Sequence, residues 1–338
     1  MNRRGPRTIQ LLAGVVLSGL FLWLALRGED WGAIGTEIAR ADLRWIALTL
    51  PLGAYVLYAR SQRWRILLER SHGCAVAMEP IYSASAIGFM ANMVLPFRVG
   101  EIARPYLVAR STGLSMATTF ATVIVERVLD LMALAVFGIG IVLIADVPPA
   151  VTYAAEAVAA ITVIAFGGAY FVTVHRGRVL PVLDRLWAKI PVVGPVVLRL
   201  EHEFVDGMSS ITDPATMLRA VIWSLYIWCV IAVGFAFGFR ALGLDVPFLG
   251  GGITVTTVVA LAVSVPSAPA FVGQFEWGCK LALEQVYGVV GSAAVSYSLL
   301  LHAAQFVTQN LIGMVFLVRE GLSLRDLSRL DEKVQEPV

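Results

Sequence analysis

The sequence predicts an all-α polytopic membrane protein with about six spanning helices, two re-entrant helical hairpins of opposite orientation and an inverted pseudo-repeat. Hydrophobic residues make up 58% of its 338 residues and charged residues only 15%, whereas a soluble domain carries about 25% charged residues. Several apolar segments reach the ~20 residues that a transmembrane helix needs. Two further apolar segments are interrupted by proline and glycine, and matching interruptions in two halves of a chain are typical of transporter binding sites.

Six segments are long and apolar enough to span a bilayer. They lie at about 8–27, 43–64, 115–145, 150–174, 215–240 and 293–318. The first follows a basic start, Arg3, Arg4 and Arg7, as the core of a signal peptide would. However, it is long enough to span, and no small-residue cleavage site follows it. We therefore predict that it is the first transmembrane helix.

The two interrupted segments share a short pattern, Pro-x-x-x-Gly followed by Glu or Gln. The predicted turn residues are Pro96 and Gly100 in the first segment and Pro266, Pro269, Gly273 and Gln274 in the second. The arms of the first segment, 80–110, have about 16 and 12 residues, too few to cross ~30 Å at ~1.5 Å per residue. We predict a re-entrant hairpin there. The arms of the second, 248–289, are longer, so two tilted spans are an alternative to a hairpin.

Lysine and arginine set the orientation of a membrane protein. With a cytoplasmic N-terminus, and with each hairpin returning to its side of entry, 18 of the 26 basic residues lie on the cytoplasmic side. The group from Arg60 to Arg70 is counted among them. Both termini are therefore predicted to be cytoplasmic, and the two hairpins are predicted to enter the membrane from opposite sides.

We predict a single membrane domain, built from two halves that a linker joins. Its parts are a first half at about 43–174 with hairpin 80–110, a cytoplasmic amphipathic linker at about 176–214, a second half at about 215–318 with hairpin 248–289, and a cytoplasmic tail at 319–338.

Ionisable residues inside the apolar segments are the candidate functional residues, because a charge at membrane depth is costly unless it is paired or hydrated. Arg98, Glu101 and Arg104 recur every three residues, and Glu126 and Asp130 are one helical turn apart. Arginine binds phosphate bidentately, so a lipid phosphate is a natural partner. The predicted lipid headgroup-binding residues are Arg98, Glu101, Arg104, Glu126, Arg127, Asp130 and Glu276. The structural alternative for Arg98, Glu101 and Arg104 is snorkelling at the cytoplasmic interface. For Glu126, Arg127 and Asp130 it is an internal salt bridge that holds hairpin 80–110 against the next helix.

Two further sets lie near the second break. Lys280 and Glu284 continue the spacing of Glu276 at i+4 and i+8, and we predict that both face water. His302 and Gln305 share a helix face and are a candidate proton or polar relay, with hydrogen-bonded packing as the alternative.

Patterns of soluble enzymes are missing from the sequence. It contains no HExxH, CxxC or phosphate-loop pattern, and Cys74, Cys229 and Cys279 are too scattered to predict a disulfide or a metal site. We expect no catalytic residue, metal, cofactor or nucleic-acid partner.

The motifs resemble those of the lysylphosphatidylglycerol synthase transmembrane domain family, also called flippase-like or UPF0104. The matching segments are Arg98-Val-Gly-Glu-Ile-Ala-Arg104, Glu126-Arg-Val-Leu-Asp130, Pro266-Ser-Ala-Pro-x-x-x-Gly-x-x-Glu276 and Arg60-x-x-Arg63-Trp64. One departure is Ala270, where members usually have glycine. The resemblance implies a polytopic inner-membrane protein with a lipid-handling cavity. In full-length synthases this domain moves an aminoacylated lipid between leaflets, and a separate soluble domain makes that lipid. Because this chain ends at Val338, we expect a stand-alone member.

Our leading expectation is a lipid translocase of the bacterial cytoplasmic membrane, and not an enzyme. It would move a phosphate-bearing headgroup between leaflets through a central polar cavity, without ATP. The expected partner is an anionic phospholipid, a glycolipid or a polyprenyl-phosphate, and an oligomer is compatible with the sequence. The alternatives are a lipid-modifying transferase or its accessory subunit, and a proton-coupled solute transporter.

Overall fold

A computed structural model describes residues 5–187, 194–264 and 269–328, and the regular elements in these ranges are all helical. The helices are α1 (Gly5–Leu26), α2 (Trp31–Arg40), α3 (Leu43–His72), α4 (Met78–Val94), α5 (Gly100–Thr112), α6 (Met116–Ile144), α7 (Pro149–Val174), α8 (Arg176–Trp187), α9 (Gly194–Gly207), α10 (Pro214–Leu242), α11 (Phe248–Val263), α12 (Gln274–Tyr287), α13 (Gly291–Arg319) and α14 (Leu324–Ser328). The predicted all-α class is confirmed. Pro266, together with 188–193 of the linker and 329–338 of the tail, lies outside the described residues.

Four helices are both long and apolar enough to cross a membrane, namely α6, α7, α10 and α13. Each covers a predicted span. The other two predicted spans, 8–27 and 43–64, correspond to α1 and α3. Helix α1 has 22 residues, of which Gly14–Leu26 form an apolar stretch, and α3 has 30 residues but carries several arginines in its second half.

Short polar side chains and glycines mark the ends of these helices. Ser115 Oγ accepts the Thr118 N–H at the start of α6, and an Asp213 carboxylate oxygen accepts the Thr216 N–H at the start of α10. Such caps bind amide groups that have no partner within the first turn of a helix. Gly113 ends α5 in the left-handed conformation that glycine adopts without strain.

Each interrupted segment forms two helices, with a short 3₁₀ turn directly before or near the start of the second helix. Turn one, Pro96–Arg98, joins α4 to α5, and the Pro269–Phe271 turn precedes α12. We call residues 269–273 turn two. At 1.5 Å per residue the four arms are about 20–26 Å long, which is shorter than the ~30 Å hydrocarbon core of a bilayer.

Helix lengths repeat between the two halves of the chain. The helices α3, α4, α5 and α6 have 30, 17, 13 and 29 residues. The helices α10, α11, α12 and α13 have 29, 16, 14 and 29 residues in the same order. The same four-helix unit therefore occurs twice.

The two units pack against each other by exchanging equivalent contacts. Helix α3 packs on α10, its counterpart in the other unit. Helix α4 packs on α13, and α11 correspondingly packs on α6. The two turns also contact each other. The interrupted segment of each unit is thus held by the long helix that ends the other unit.

Glycine allows the arms of the first helix pair to touch. A Cβ atom at Gly100 would lie 1.9 Å from the Gly88 carbonyl oxygen, and a Cβ atom at Gly88 would lie 2.2 Å from Cγ of Arg104. Backbone atoms of α4 and α5 therefore occupy the space that any larger residue would need, which explains the glycine at this predicted turn position.

We predict that Gly100→Ala lowers the free energy of unfolding by at least the ~1–3 kcal/mol of an overpacked core, because its methyl group meets backbone rather than a movable side chain. Gly140→Ala is the control, since a Cβ atom there meets nothing within 4 Å and alanine favours a helix by ~1 kcal/mol. Thermal unfolding of the purified proteins in detergent measures both. Equal stability of the two variants would contradict the close approach of α4 and α5.

Candidate functional site

An ion network of buried and half-buried charges lies between α3, α5, α6 and α10. It consists of Arg60, Arg63, Glu101, Arg104, Glu126, Arg127 and Asp130, which are joined by ion pairs of 2.7–3.7 Å. Of the predicted headgroup-binding residues, the structure brings together Glu101, Arg104, Glu126, Arg127 and Asp130. The carboxylates Glu126 and Asp130 lie about 15 and 21 Å along α6, counted at 1.5 Å per residue from Met116.

Arg63 forms the centre of this network, and its side chain is 0% exposed. Its Nη1 donates to Asp130 Oδ1 at 2.7 Å and to Ser224 Oγ at 2.9 Å. Its Nη2 donates to Glu126 Oε1 at 3.2 Å. One guanidinium group therefore ties α3 to two carboxylates of α6 and to the second four-helix unit through α10.

Arg104 occupies the buried end of the network. Its Nη2 donates to Glu126 Oε2 at 2.8 Å, and its side chain is 1% exposed. The guanidinium carbon also lies 4.3 Å from the ring centroid of Trp64 and 5.2 Å from that of Phe89. Trp64 is itself fixed, because its indole N–H donates to Thr122 Oγ1 at 2.9 Å. Ion pairing and cation–π contacts therefore hold Arg104 in one position.

The opposite end of the network, which we call the open end, is accessible. The Arg127 side chain is 36% exposed and that of Glu101 is 24% exposed. Arg127 contacts Glu101 at 3.7 Å and Asp130 at 3.2 Å, and Asn92 Nδ2 donates to Glu101 Oε1 at 3.3 Å. Among the described residues, Arg127 Nε, Glu101 Oε2 and Asn92 Oδ1 are buried atoms without a hydrogen-bond partner, and so are Arg63 Nε and Arg104 Nε and Nη1 at the buried end. Donors and acceptors thus remain available side by side.

Arg98 is exposed and lies beside the open end, close enough to Glu101 to interact electrostatically. Its Nη2 donates to the Val263 carbonyl at 2.6 Å, and its guanidinium carbon lies 5.2 Å from the ring centroid of Phe271. Val263 is the last residue of α11, where a cation is favoured by the helix dipole. Arg98 therefore connects turn one to the second helix pair.

The charges of the network do not cancel. Its four guanidinium groups and three carboxylates leave a net charge of +1. The neighbouring Arg98 adds one more positive charge. A buried network with surplus positive charge and open donors can bind an anion with planar oxygens, such as a phosphate ester.

Glu276, the remaining predicted headgroup residue, contacts none of the network arginines in the described part of the chain. Its Oε1 lies 2.5 Å from His302 Nδ1, and its Oε2 accepts the Gly273 N–H at 2.7 Å. His302 also stacks on Phe275 with 4.5 Å between ring centroids. The predicted relay partner Gln305 is half-buried one turn along α13. Glu276 and His302 therefore form a separate buried pair behind turn two.

The prediction that Lys280 faces water is wrong. Lys280 is 9% exposed, and its Nζ donates to the Glu29 carboxylate and, at 3.0 Å, to the Ala25 carbonyl. It also lies 3.8 Å from Glu284, which is half-buried. The regular spacing of these residues cannot reveal partners near residues 25–29, which lie about 250 positions earlier in the chain.

The sequence prediction missed five residues of the site, one of which is Asn92 beside Glu101. Arg60 and Arg63 were placed at the cytoplasmic surface, but both pair with Asp130 inside the network. Ser224 and Trp228 of α10 bond to Arg63 and to Asp130. The sequence held one indication that these arginines lie at membrane depth. At ~1.5 Å per residue, a helix that starts at Leu43 is only about 26–30 Å long when it reaches them, which does not exceed the ~30 Å hydrocarbon core.

Other concave regions and ligand-like groups lie away from the network. Cavities of about 310 Å³ and 400 Å³ lie beside α7 and α8 and beside the α10–α11 and α12–α13 loops. Asp184, Glu201 and His202 of α8 and α9 bring potential metal ligands within 4.8 Å of one another at the surface. None of these groups contacts the ion network.

A family model described as the lysylphosphatidylglycerol synthase TM region matches residues 11–313. The chain belongs to this family. The matched range contains the whole ion network and both turns, so the site is part of the family domain. With its several long apolar helices, this member is a multi-pass membrane protein.

Two curated relatives resemble the chain. A protein named glycosyltransferase AglD, from Haloferax volcanii, is 24% identical over 334 residues, covering 89% of this chain and 53% of that protein. The chain therefore spans about half the length of this relative. A UPF0104 membrane protein from Methanothermobacter thermautotrophicus is 27% identical over 294 residues, covering 81% of this chain and 82% of that protein. No solved structure matches.

We predict that Arg63→Met lowers the free energy of unfolding by about 3–5 kcal/mol, because it leaves two buried carboxylates short of a partner. Arg65→Met on the same helix is the control. Arg65 pairs with Glu69 at 3.8 Å, and both side chains are 36% exposed, so its loss should cost at most ~1 kcal/mol. Thermal unfolding in detergent compares the two, and an Arg63 variant as stable as the Arg65 variant would show that the network is not needed for folding.

Proposed function

We propose that this protein is a lipid translocase that moves a phosphate-bearing headgroup between the leaflets of a membrane. The observation that carries the proposal is the ion network, with its net positive charge and its open end, whose helices include α6 and α10, both long enough to cross a bilayer. Charged groups at membrane depth are expensive and mark substrate pathways. The lipid tails would stay in the hydrocarbon, so that only the headgroup needs polar contacts.

The open end is the headgroup-binding part of this proposal. Arg127 and Arg98 donate to the phosphate, because their guanidinium groups are accessible and adjacent. Glu101 Oε2 and Asn92 Oδ1 accept from a cationic or hydroxyl group at the far side of the headgroup. A headgroup with both features would use donors and acceptors that have no partner within the described residues.

The buried end of the network has a different role in this proposal. Arg104, Glu126, Arg63 and Asp130 hold one another within 2.7–3.2 Å, and they position Arg127 without touching the lipid. This arrangement combines the two interpretations that the sequence left open, a headgroup site and an internal salt bridge. Preorganised charges need no rearrangement when the headgroup arrives, so less binding energy is lost.

The two helix pairs are, in this proposal, re-entrant hairpins that enter from opposite sides. Arms of about 20–26 Å are too short to cross singly, and the arms α11 and α12 are as short as α4 and α5. The repeated helix lengths and the exchanged contacts support an inverted repeat, in which the substrate site lies where the halves meet. Turn one contacts turn two there.

The proposed location is the bacterial cytoplasmic membrane, with both termini in the cytoplasm. Moving Arg60 and Arg63 into the network leaves 16 of the 18 cytoplasmic basic residues, against four predicted outside. The positive-inside bias still supports this orientation.

The substrate in this proposal is an anionic phospholipid, a glycolipid or a polyprenyl-phosphate. These lipids share a phosphate ester beside a hydroxyl or amine group, which is the chemistry that the open end fits. No phosphate-loop motif is present in the sequence, so translocation is downhill or driven by an ion gradient. The buried residues of the network stay paired with one another. The substrate therefore competes with protein groups only for Arg127 and Arg98.

A second candidate is participation in lipid modification, as a transferase or its accessory subunit. The name of the Haloferax relative, a glycosyltransferase, favours it. Incubation of the purified protein with a sugar-nucleotide donor and a lipid-phosphate acceptor tests this candidate, and product formation would replace translocation as the primary function.

The translocase proposal is tested in vesicles that contain acyl-labelled phosphatidylglycerol or phosphatidic acid. Dithionite bleaches the outer leaflet, and translocation raises the fraction that can be bleached. We expect exchange faster than in empty vesicles, and a reduction of about tenfold or more for Arg127→Gln, since a hydrogen bond to a charged group contributes ~1.5–3 kcal/mol.

The matched control is Arg110→Gln, at an exposed arginine in the last turn of α5. It makes the same chemical change on a helix of the site and should leave the exchange rate unchanged. Exchange no faster than in empty vesicles for both lipids would reject the proposal. Equal loss of activity in both variants would reject the assignment of the open end.

A further inference from the structure

The Glu276–His302 pair has no role in headgroup binding as proposed above, and its geometry defines a proton site. His302 Nε2 lies 2.8 Å from the Ala270 carbonyl oxygen, and Nδ1 lies 2.5 Å from Glu276 Oε1. A carbonyl oxygen only accepts, so Nε2 carries a hydrogen. Nδ1 and the carboxylate oxygen are both acceptors when unprotonated. Their contact is therefore a hydrogen bond only if one further proton lies between them.

This bridging proton decides whether the pair stays together. With it, the pair is neutral overall, whichever of the two atoms holds it. Without it, the lone pair of Nδ1 faces a carboxylate oxygen and the pair carries a full negative charge. Glu276 and His302 are only 3% and 8% exposed, so water can offer that charge little stabilisation. Loss of the proton therefore separates the two side chains.

Turn two depends on both of these side chains. Ala270, Phe271 and Gly273 have φ angles of 59°, 60° and 90°, a region that is strained for residues other than glycine. His302 holds the Ala270 carbonyl, and Glu276 holds the Gly273 N–H at 2.7 Å. Ala270 and Phe271 are not glycines, so turn two needs these tertiary contacts to hold its left-handed backbone.

Turn two in turn contacts the headgroup site. Phe271 lies under the guanidinium group of Arg98, 5.2 Å from its carbon atom, and Arg98 donates across to Val263 at the end of α11. A displacement of turn two therefore changes the position of an arginine at the open end. Proton occupancy and headgroup binding are connected through one short segment.

We propose that the Glu276–His302 pair is a proton-binding site that couples lipid movement to a transmembrane proton gradient. The protonated pair fixes turn two. When the bridging proton passes to water, a carboxylate and a neutral imidazole remain, and turn two and Arg98 are released. One proton is bound and one released for each lipid moved. This inference rests on the proposed translocase function and names its driving ion.

Other charged or titratable groups lie on the elements packed around the pair. Cys279 and Tyr297 are buried neutral groups on α12 and α13. Lys280 is paired with Glu29, and the guanidinium group of Arg98 lies over the ring of Phe271. Helix α11 and Gly14–Leu26 of α1 contain no charged residue, and the Glu79 carboxylate of α4 pairs with Arg319 of α13.

The test uses the full chain in vesicles of phosphatidylcholine with a trace of acyl-labelled phosphatidylglycerol. A pH difference of one unit is imposed, and valinomycin with equal potassium on both sides keeps the membrane potential at zero. One proton per lipid corresponds to a factor of ten per pH unit. We therefore expect a steady-state leaflet ratio that approaches tenfold, and an equal distribution without the gradient. Protein orientation in the vesicles does not affect this ratio.

Glu276→Gln separates coupling from folding. The amide keeps an acceptor for the Gly273 N–H and supplies an N–H toward His302 Nδ1, so turn two stays fixed while the titrating carboxyl is lost. We expect equal leaflet distribution despite the gradient. Glu284→Gln, two turns along the same helix, is the matched control and should keep the wild-type ratio.

Deuterium exchange of the backbone N–H groups at 270–273, corrected for intrinsic pH effects, provides a readout that does not depend on transport. We expect protection to fall at high pH in the wild type and to persist in Glu276→Gln. Lipid exchange with equal leaflets under the gradient in the wild type would overturn the coupling but leave the translocase standing. A tenfold ratio retained by Glu276→Gln would also overturn it. The absence of any exchange would reject both proposals.

Discussion

The rest of the structure depends on the ion pairs and the hydrogen bond that the guanidinium group of Arg63 makes. This group binds Asp130 at 2.7 Å, Glu126 at 3.2 Å and Ser224 at 2.9 Å, and is 0% exposed. A charge in such a place is tolerated only when its partners are fixed. Helices α3, α6 and α10 must therefore meet at this point, and α10 brings the second four-helix unit with it. The same contacts therefore join the two repeated units and form the centre of the site.

From that fixed centre the charges become progressively more accessible. Arg104 is enclosed by Trp64 and Glu126, whereas Arg127 is partly exposed and Arg98 is exposed. Buried charges that pair with one another hold a geometry, and partly exposed charges can exchange their partners for a ligand. The same residue type therefore serves both purposes, and burial alone distinguishes them. Turn two lies beside the exposed Arg98, and its strained backbone is held by the buried Glu276–His302 pair.

Local chemistry made much of this predictable. Proline and glycine placed the breaks at Pro96 and Pro269, and the structure has 3₁₀ turns at both. The grouping of Arg104 with Glu126 also followed from the sequence, because charges on two apolar helices need partners. The location of Arg60, Arg63 and Lys280 did not follow. Their partners come from distant positions, and arginines near a helix end read equally well as surface residues.

The sequence by itself determined the all-helical class, the long apolar helices and the ionisable residues that cannot be left alone among them, because hydropathy and helix-breaking residues act locally. Only the tertiary structure decided which charges meet. Glu276 pairs with His302 instead of an arginine of the network, Lys280 pairs with Glu29, and Ala270 adopts a left-handed conformation that needs a buried histidine to hold it. Such pairings depend on which faces of distant helices come into contact, and no local pattern records that.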